Sequence, residues 1–171
     1  NGGDGFVMAR HLQLRGLPVQ VLVFHDPQDF SADALANFLI LKQCGIPCHA
    51  ILNLPELDNW QLCLEEICHD SAWLVDALLG TGSSGPPRSP LDHVIQWMNQ
   101  STAQRLSLDV PSGLDCDTAE VAGVAIRADQ TFTFAAAKPA LLMEHAADHV
   151  GHLEVCDIGL PQSLLETCTN R

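Results

Sequence analysis

Positive charge is what this chain has least of: eight lysines and arginines stand against 21 aspartates and glutamates, for a formal net charge of −13. So acidic a surface repels a phosphodiester backbone, which argues against nucleic acid as a partner and leaves backbone N–H groups to meet any anionic ligand. Long apolar stretches are lacking too. No run approaches the ~18 residues of a membrane span, so no membrane partner is expected. Seven cysteines, an odd number, are scattered with no Cys-x-x-Cys pair, which disfavours both a disulfide framework and a zinc ribbon. Reduced thiols in an intracellular, cytoplasmic setting are the expectation. No G-x-S-x-G elbow offers a serine nucleophile. There are no internal repeats, low-complexity tracts or linkers, and the length suits a single domain over residues 1–171.

What is there is apolar and patterned. Hydrophobic residues make up 47% of the chain and charged residues 17%, a balance that suits strands buried on both faces. Short β-branched or leucine-rich runs alternate with helical periods, the signature of βαβ units and a largely parallel sheet. Strands are expected at 19–24, 48–52, 73–79, 105–110, 130–135 and 152–157. A first helix should run from Phe6 to a stop at Gly16, and a second from a Ser31 cap, with Asp33 in its first turn, to Gly45. Trp60, Leu64 and Ile67 mark a third, and Leu91, Val94, Ile95 and Met98 a fourth. Right-handed crossovers then place helices on both sheet faces, giving an α/β fold: a three-layer αβα sandwich with a Rossmann-like, mostly parallel sheet. Ligands in such folds sit beyond the carboxyl ends of the strands.

The chemistry-bearing residues cluster at those ends. Asn1-Gly2-Gly3-Asp4-Gly5 reads as a loop whose backbone can lie close to a phosphate or carbonyl-rich ligand, with the following helix aiming N–H groups at it. Such a turn normally follows a strand, so the domain reads as truncated at its N-terminus. Gly80-Thr81-Gly82-Ser83-Ser84-Gly85-Pro86 is a second glycine-rich turn; it fits G-x-G-x-x-G by letter, but no helix begins before about Leu91. Asp109 stands at a strand end, able to cap a turn or to face the ligand crevice. Lys138, one of two lysines, can pair with Asp109, meet a phosphate or sit in solvent. Asp76, inside an apolar run, needs either backbone N–H partners or a cation. Asn1, Asp76 and Ser112 offer only oxygens, which suits a hard cation and not zinc. His145, His149 and His152 are discounted as metal ligands, since eight histidines in this length make close spacing ordinary.

Taken together, NGGDG at Asn1–Gly5, VDALLGTG at Val75–Gly82 with SGP at Ser84–Pro86, LDVPSGLD at Leu108–Asp115, Lys138-Pro139 and VCDIGLP at Val155–Pro161 resemble the NAD(P)HX epimerase family. This family is also called the YjeF N-terminal domain or, in animals, the apolipoprotein A-I-binding protein. The resemblance covers essentially the whole chain. It implies an isomerase that interconverts the R and S epimers of hydrated NADH or NADPH, so that a partner NAD(P)HX dehydratase can repair the S form. It further implies substrate contacts from Asn1, Gly2, Gly3 and Asp4, from Gly80, Thr81, Gly82, Ser83, Ser84, Gly85 and Pro86, and from Asp109. A potassium ion held by Asn1, Asp76 and Ser112, and a homodimer, are implied as well. Within that reading Asp109 is the general acid/base, with Lys138 tuning its protonation or orienting a water. The competing reading is a non-catalytic scaffold for binding and dimerisation, as in the similar decapping-enhancer proteins of messenger RNA decay.

Overall fold

The computed structural model describes residues 2–52 and 59–161; Asn1, expected at both the substrate and potassium sites, lies outside them. The opening glycines are not the expected loop. They form the first turn of α1, Gly2–Leu14. A glycine inside a helix costs roughly 1 kcal/mol relative to alanine, so something must require it. At Gly5 the requirement is contact, because a Cβ there would stand 2.7 Å from the Cβ of Ala77.

The second helix, α2 (Ala32–Gln43), follows its local signals. The Ser31 hydroxyl accepts from Ala34 N at 3.3 Å, Asp33 sits in the first turn and Gly45 takes the positive φ past the end. α3 spans Trp60–Cys68, α4 Leu91–Gln100 and the short α5 Ala147–Val150. All four residues that marked α4 are buried.

Among the described residues the strands form two parallel groups. β1 (Val21–Val23) pairs with β2 (Cys48–Ala50), while β3 (Trp73–Asp76), β4 (Gln104–Leu108), β5 (Gln130–Phe134) and β6 (His152–Cys156) follow one another in order. Between β1 and β3 lies a cleft of about 1620 Å³. Each strand is shorter than its apolar run. In the run from Trp73 the reason is Asp76, whose carboxylate takes the N–H of Leu78 at 3.2 Å and turns the chain out of the sheet.

Three clusters make up the interior. α1 and α2 pack on β1 through Phe6, Phe38, Leu41 and Val23, with the Phe6, Phe30 and Phe38 rings 5.2 to 5.6 Å apart. α3 and α4 pack on β3 through Leu64, Val94, Ile95 and Leu74. Beyond them, Val110, Leu114, Ala140 and Val150 seal the segments that follow β4 and β5. A fully buried side chain such as Leu41, Leu64 or Ile95 contributes about 1.5–3 kcal/mol of apolar burial. The result is the expected α/β architecture. Because its strands run parallel, their carboxyl ends share one rim.

Candidate active site at the strand rim

Two adjacent strands leave the sheet the same way. Asp109, next after β4, has φ +69°, and Val110 N reaches back to Leu108 O at 2.9 Å; Ala135, next after β5, has φ +67°, and Ala136 N reaches Phe134 O at 2.8 Å. An i to i+2 hydrogen bond around a positive φ is the rarer, strained γ-turn. Asp109 tolerates that backbone better than most residues. Its side chain meets Lys138, which returns to it after the second turn.

The pair is part-buried, with side chains 22% exposed for Lys138 and 13% for Asp109. Lys138 Nζ donates to Asp109 Oδ1, to the Thr133 hydroxyl at 2.9 Å and to the Phe134 carbonyl at 3.1 Å. Oδ1 also accepts from Thr133 Oγ1 at 3.2 Å and from Phe134 N at 3.3 Å. Among the described residues nothing donates to Oδ2. This carboxylate therefore has one oxygen anchored and one open.

Asp76 ends β3, 1% exposed. Its Oδ1 accepts from Leu78 N and the Ser112 hydroxyl, its Oδ2 from Ser112 N and the Ser107 hydroxyl. Burial pushes this carboxyl above its ordinary 3.8, with the bonds from Ser112, Ser107 and Leu78 acting against that rise. Among the described residues no cationic side chain pairs with it. The Ser112 hydroxyl in turn accepts from Leu79 N at 2.9 Å, tying the second glycine turn to the segment after β4.

Of the expected site residues, Gly80, Ser83, Ser84, Gly85 and Ser112 line a hollow of about 180 Å³, together with Gly113, Asp115 and Glu120. That is smaller than the roughly 300–1,000 Å³ of sites that enclose a drug-sized ligand. Ser83 N closes a turn onto Gly80 O at 3.0 Å, and a Cβ at Gly82 would meet only open space. Thr81 and Gly82 inside this turn, and Pro86 beyond it, do not line the hollow, though the Thr81 carbonyl accepts from Cys116 Sγ at 3.6 Å. Cys116 O accepts from Ala140 N at 3.2 Å, which links the turn to the segment that carries Lys138. Asp109 and Lys138 share the rim but are not among the residues lining the hollow. Gly2, Gly3 and Asp4 line the larger cleft, beside Ala77.

Two residues escaped the sequence reading. Thr133 and Ser107 are fully buried polar side chains inside β5 and β4. Strand alternation alone could have pointed Thr133 inward, since Thr131 and Thr133 fall on one face. Of the histidines near the C-terminus, His145 Nε2 lies 3.2 Å from Thr118 O and His149 Nδ1 2.8 Å from Ile126 O.

A family model described as the YjeF-related protein N-terminus matches residues 1–140. A Pirellula staleyi protein named NAD(P)H-hydrate epimerase is 40% identical over 166 residues, covering 97% of this chain and 71% of that protein. A Salinibacter ruber protein named bifunctional NAD(P)H-hydrate repair enzyme Nnr is 39% identical over 175 residues, yet the chain spans only 32% of its length. In fold, the chain is similar to the crystal structure of yeast ynu0, with a TM-score of 0.69 and 22% identity over 92% of this chain and 62% of that one. With its motifs, its parallel sheet and a match across most of its length, the chain belongs to the family of the YjeF-related protein N-terminus.

Proposed function

We propose that the chain is an NAD(P)H-hydrate epimerase that interconverts the R and S epimers of hydrated NADH or NADPH. The observation that carries this is the Asp109–Lys138 pair on the rim, anchored through Oδ1 and open at Oδ2. Relatives at about 40% identity that are named for the same activity support it.

Epimerisation requires either that the hydroxyl of the hydrated carbon leave as water and water add to the opposite face of the resulting iminium, or that the C–N bond open to an aldehyde, which keeps the oxygen, and close again on its other face. Either route moves a proton at that hydroxyl. On the iminium route the protonated Asp109 Oδ2 gives its proton as the hydroxyl departs as water and takes one back as water adds to the other face; on the ring-opening route the ionised Oδ2 takes the hydroxyl proton as the C–N bond breaks and the leaving nitrogen is protonated from water, and closure reverses both transfers. Lys138, fixed on Oδ1, holds the carboxylate in place through both transfers. Gly2, Gly3 and Asp4 with Asn1, and the turn from Gly80 to Pro86, bind the dinucleotide; the open faces of Gly82 and Gly85 let a phosphate approach backbone N–H groups.

A potassium ion fits the donor chemistry of Asp76 and Ser112, with Asn1 as the third ligand. The set is all oxygen, and a buried carboxylate without a positive partner is what a hard cation would neutralise. The lone pairs of Asp76 already carry four hydrogen bonds, so an ion would have to displace a donor, and the two serine hydroxyls, unlike the two backbone N–H groups, can rotate away. The ion would supply fixed positive charge at the Asp76 carboxylate. A homodimer in the cytoplasm, working with an NAD(P)HX dehydratase, completes the proposal; relatives named as bifunctional repair enzymes support that partnership. No helix among the described residues is long and apolar enough to cross a membrane.

The test is direct. Purified protein added to the R hydrate of NADH should speed appearance of the S form, separated by chromatography, well beyond an enzyme-free control. Equal rates with and without protein refute the assignment.

A further inference from the structure

We propose that Thr133 is a positioning residue whose buried hydroxyl, held between the Lys138 ammonium and Asp109 Oδ1, makes Oδ2 the one oxygen of Asp109 that exchanges protons with substrate. This rests on the epimerase reading for its kinetic consequence, but not for its geometry.

The donor inventory fixes the direction of every bond. An ammonium only donates and a carboxylate only accepts, so the Thr133 hydroxyl accepts from Lys138 Nζ at 2.9 Å and gives its one proton to Asp109 Oδ1 at 3.2 Å. Phe134 N adds a third donor at 3.3 Å, held in place by β5 and the turn after it. Three donors already crowd the two lone pairs of Oδ1. A proton arriving at Asp109 would have to displace one of them there, whereas at Oδ2 it displaces none.

The arrangement also survives the reaction. When Oδ2 is protonated, Oδ1 becomes a carbonyl oxygen and still accepts from the same three groups, so the acid and base forms share one geometry. Thr133 is 0% exposed, which denies the hydroxyl any competing water. Without that hydroxyl, Lys138 keeps, among the described residues, only Phe134 O and the carboxylate, and its ammonium is free to bridge both oxygens and cover Oδ2.

Thr133→Val removes the hydroxyl at near-constant volume, and Thr133→Ser keeps it while removing the methyl. With Thr133→Val, kcat should fall at least ~10-fold, part of the ~10²–10⁴ that a positioned acid/base supplies, with KM within about twofold. Thr133→Ser should restore most of kcat. A Thr133→Val enzyme with unchanged kcat, or two variants equally impaired, overturns the proposal. An inactive wild type refutes the epimerase reading instead, and a crystal structure of Thr133→Val then decides this one. Displacement of the ammonium towards Oδ2 upholds the proposal, and an unmoved Asp109–Lys138 pair sinks it. Should Thr133→Val fail to fold, a crystal structure of Thr133→Ser settles the matter: a hydroxyl that still bridges Nζ and Oδ1 upholds the proposal, and one turned away from both overturns it.

Discussion

Asp109→Asn is the substitution for which the structure gives the sharpest expectation, because it predicts how the new amide will turn. Three donors converge on Oδ1, so the amide oxygen must take that place and the NH₂ the open place of Oδ2. All three contacts survive. Asparagine also tolerates φ +69° about as well as aspartate does, so no backbone strain is added. What is lost in folding is the charge of the acceptor, so the Lys138 contact stops being an ion pair and the bonds from Thr133 and Phe134 N become neutral ones. Charged hydrogen bonds contribute about 1.5–3 kcal/mol and neutral ones about 0.5–1.5, a difference near 1–1.5 kcal/mol. At about 2–4 °C per kcal/mol for a domain of this size, Tm should drop by roughly 2–6 °C.

Activity should fall much further, since an amide can neither give nor take the proton. Loss of a positioned acid/base lowers the rate ~10²–10⁴-fold, equivalent to about 2.7–5.4 kcal/mol of barrier. The assay is R-to-S exchange of hydrated NADH corrected for the enzyme-free rate, run beside thermal unfolding. Asp109→Ala is the contrast: it strands Lys138, Thr133 and Phe134 N and forces alanine into positive φ, so it should lose distinctly more Tm than Asn. Turnover of Asp109→Asn within about threefold of wild type refutes the acid/base role. An Asn variant as unstable as the Ala variant refutes the orientation argument.

At Asp76 the raised carboxyl means that the folded chain keeps its proton to higher pH than the unfolded chain, so stability falls as pH rises from 3.8 through the folded value. Asp76→Asn should lack that fall, yet be less stable at low pH by about 1–3 kcal/mol, because Leu78 N and Ser112 N sit on different oxygens and one must face the NH₂. Urea titrations from about pH 3.5 to 7 that run parallel for the two proteins contradict this. For the ion, replacing potassium by tetramethylammonium at equal ionic strength should lower Tm, since saturation at about 100 Kd stabilises by ~2.7 kcal/mol; identical melting in both salts counts against the site. Ala135→Gly should relieve about 1–2 kcal/mol of positive-φ strain against ~0.4–1 kcal/mol of added unfolded-chain freedom, and raise Tm by a few degrees. A lower Tm would show the turn to be unstrained.

Local chemistry was legible in the sequence and long-range geometry was not. Ser31, Asp33 and Gly45 marked α2 because a cap is a property of neighbouring residues, and Leu91, Val94, Ile95 and Met98 marked α4 because burial follows the helical period. Asp109 and Lys138 could be placed at strand ends, where a parallel sheet brings such ends to one rim. The helical state of Gly2–Gly5 was hidden, since glycines signal a turn until Ala77 is known to press against one of them. The two γ-turns were hidden as well. Neither aspartate nor alanine announces a positive φ, which here is set by the bonds from Asp109 N to Phe132 O at 2.7 Å and from Ala135 N to Cys156 O at 3.0 Å.

Those turns explain why two residues 29 apart in the chain meet at all. A strand that simply continued past Leu108 would keep alternating its side chains above and below the sheet, and Asp109 would point away from the neighbouring strand end. The γ-turn instead swings it sideways along the rim, and the matching turn at Ala135 brings the next segment round so that Lys138 arrives from the other side. Each residue held at such a φ costs on the order of 1–3 kcal/mol, more than a part-exposed ion pair returns. A fold selected for stability alone would place glycines at both positions, as it does at Gly113 and Gly151, where positive φ and backbone crowding leave no alternative. Keeping an ionisable residue at the first of them sacrifices folding stability for the position of one carboxylate oxygen, and that choice makes sense for a group that handles protons.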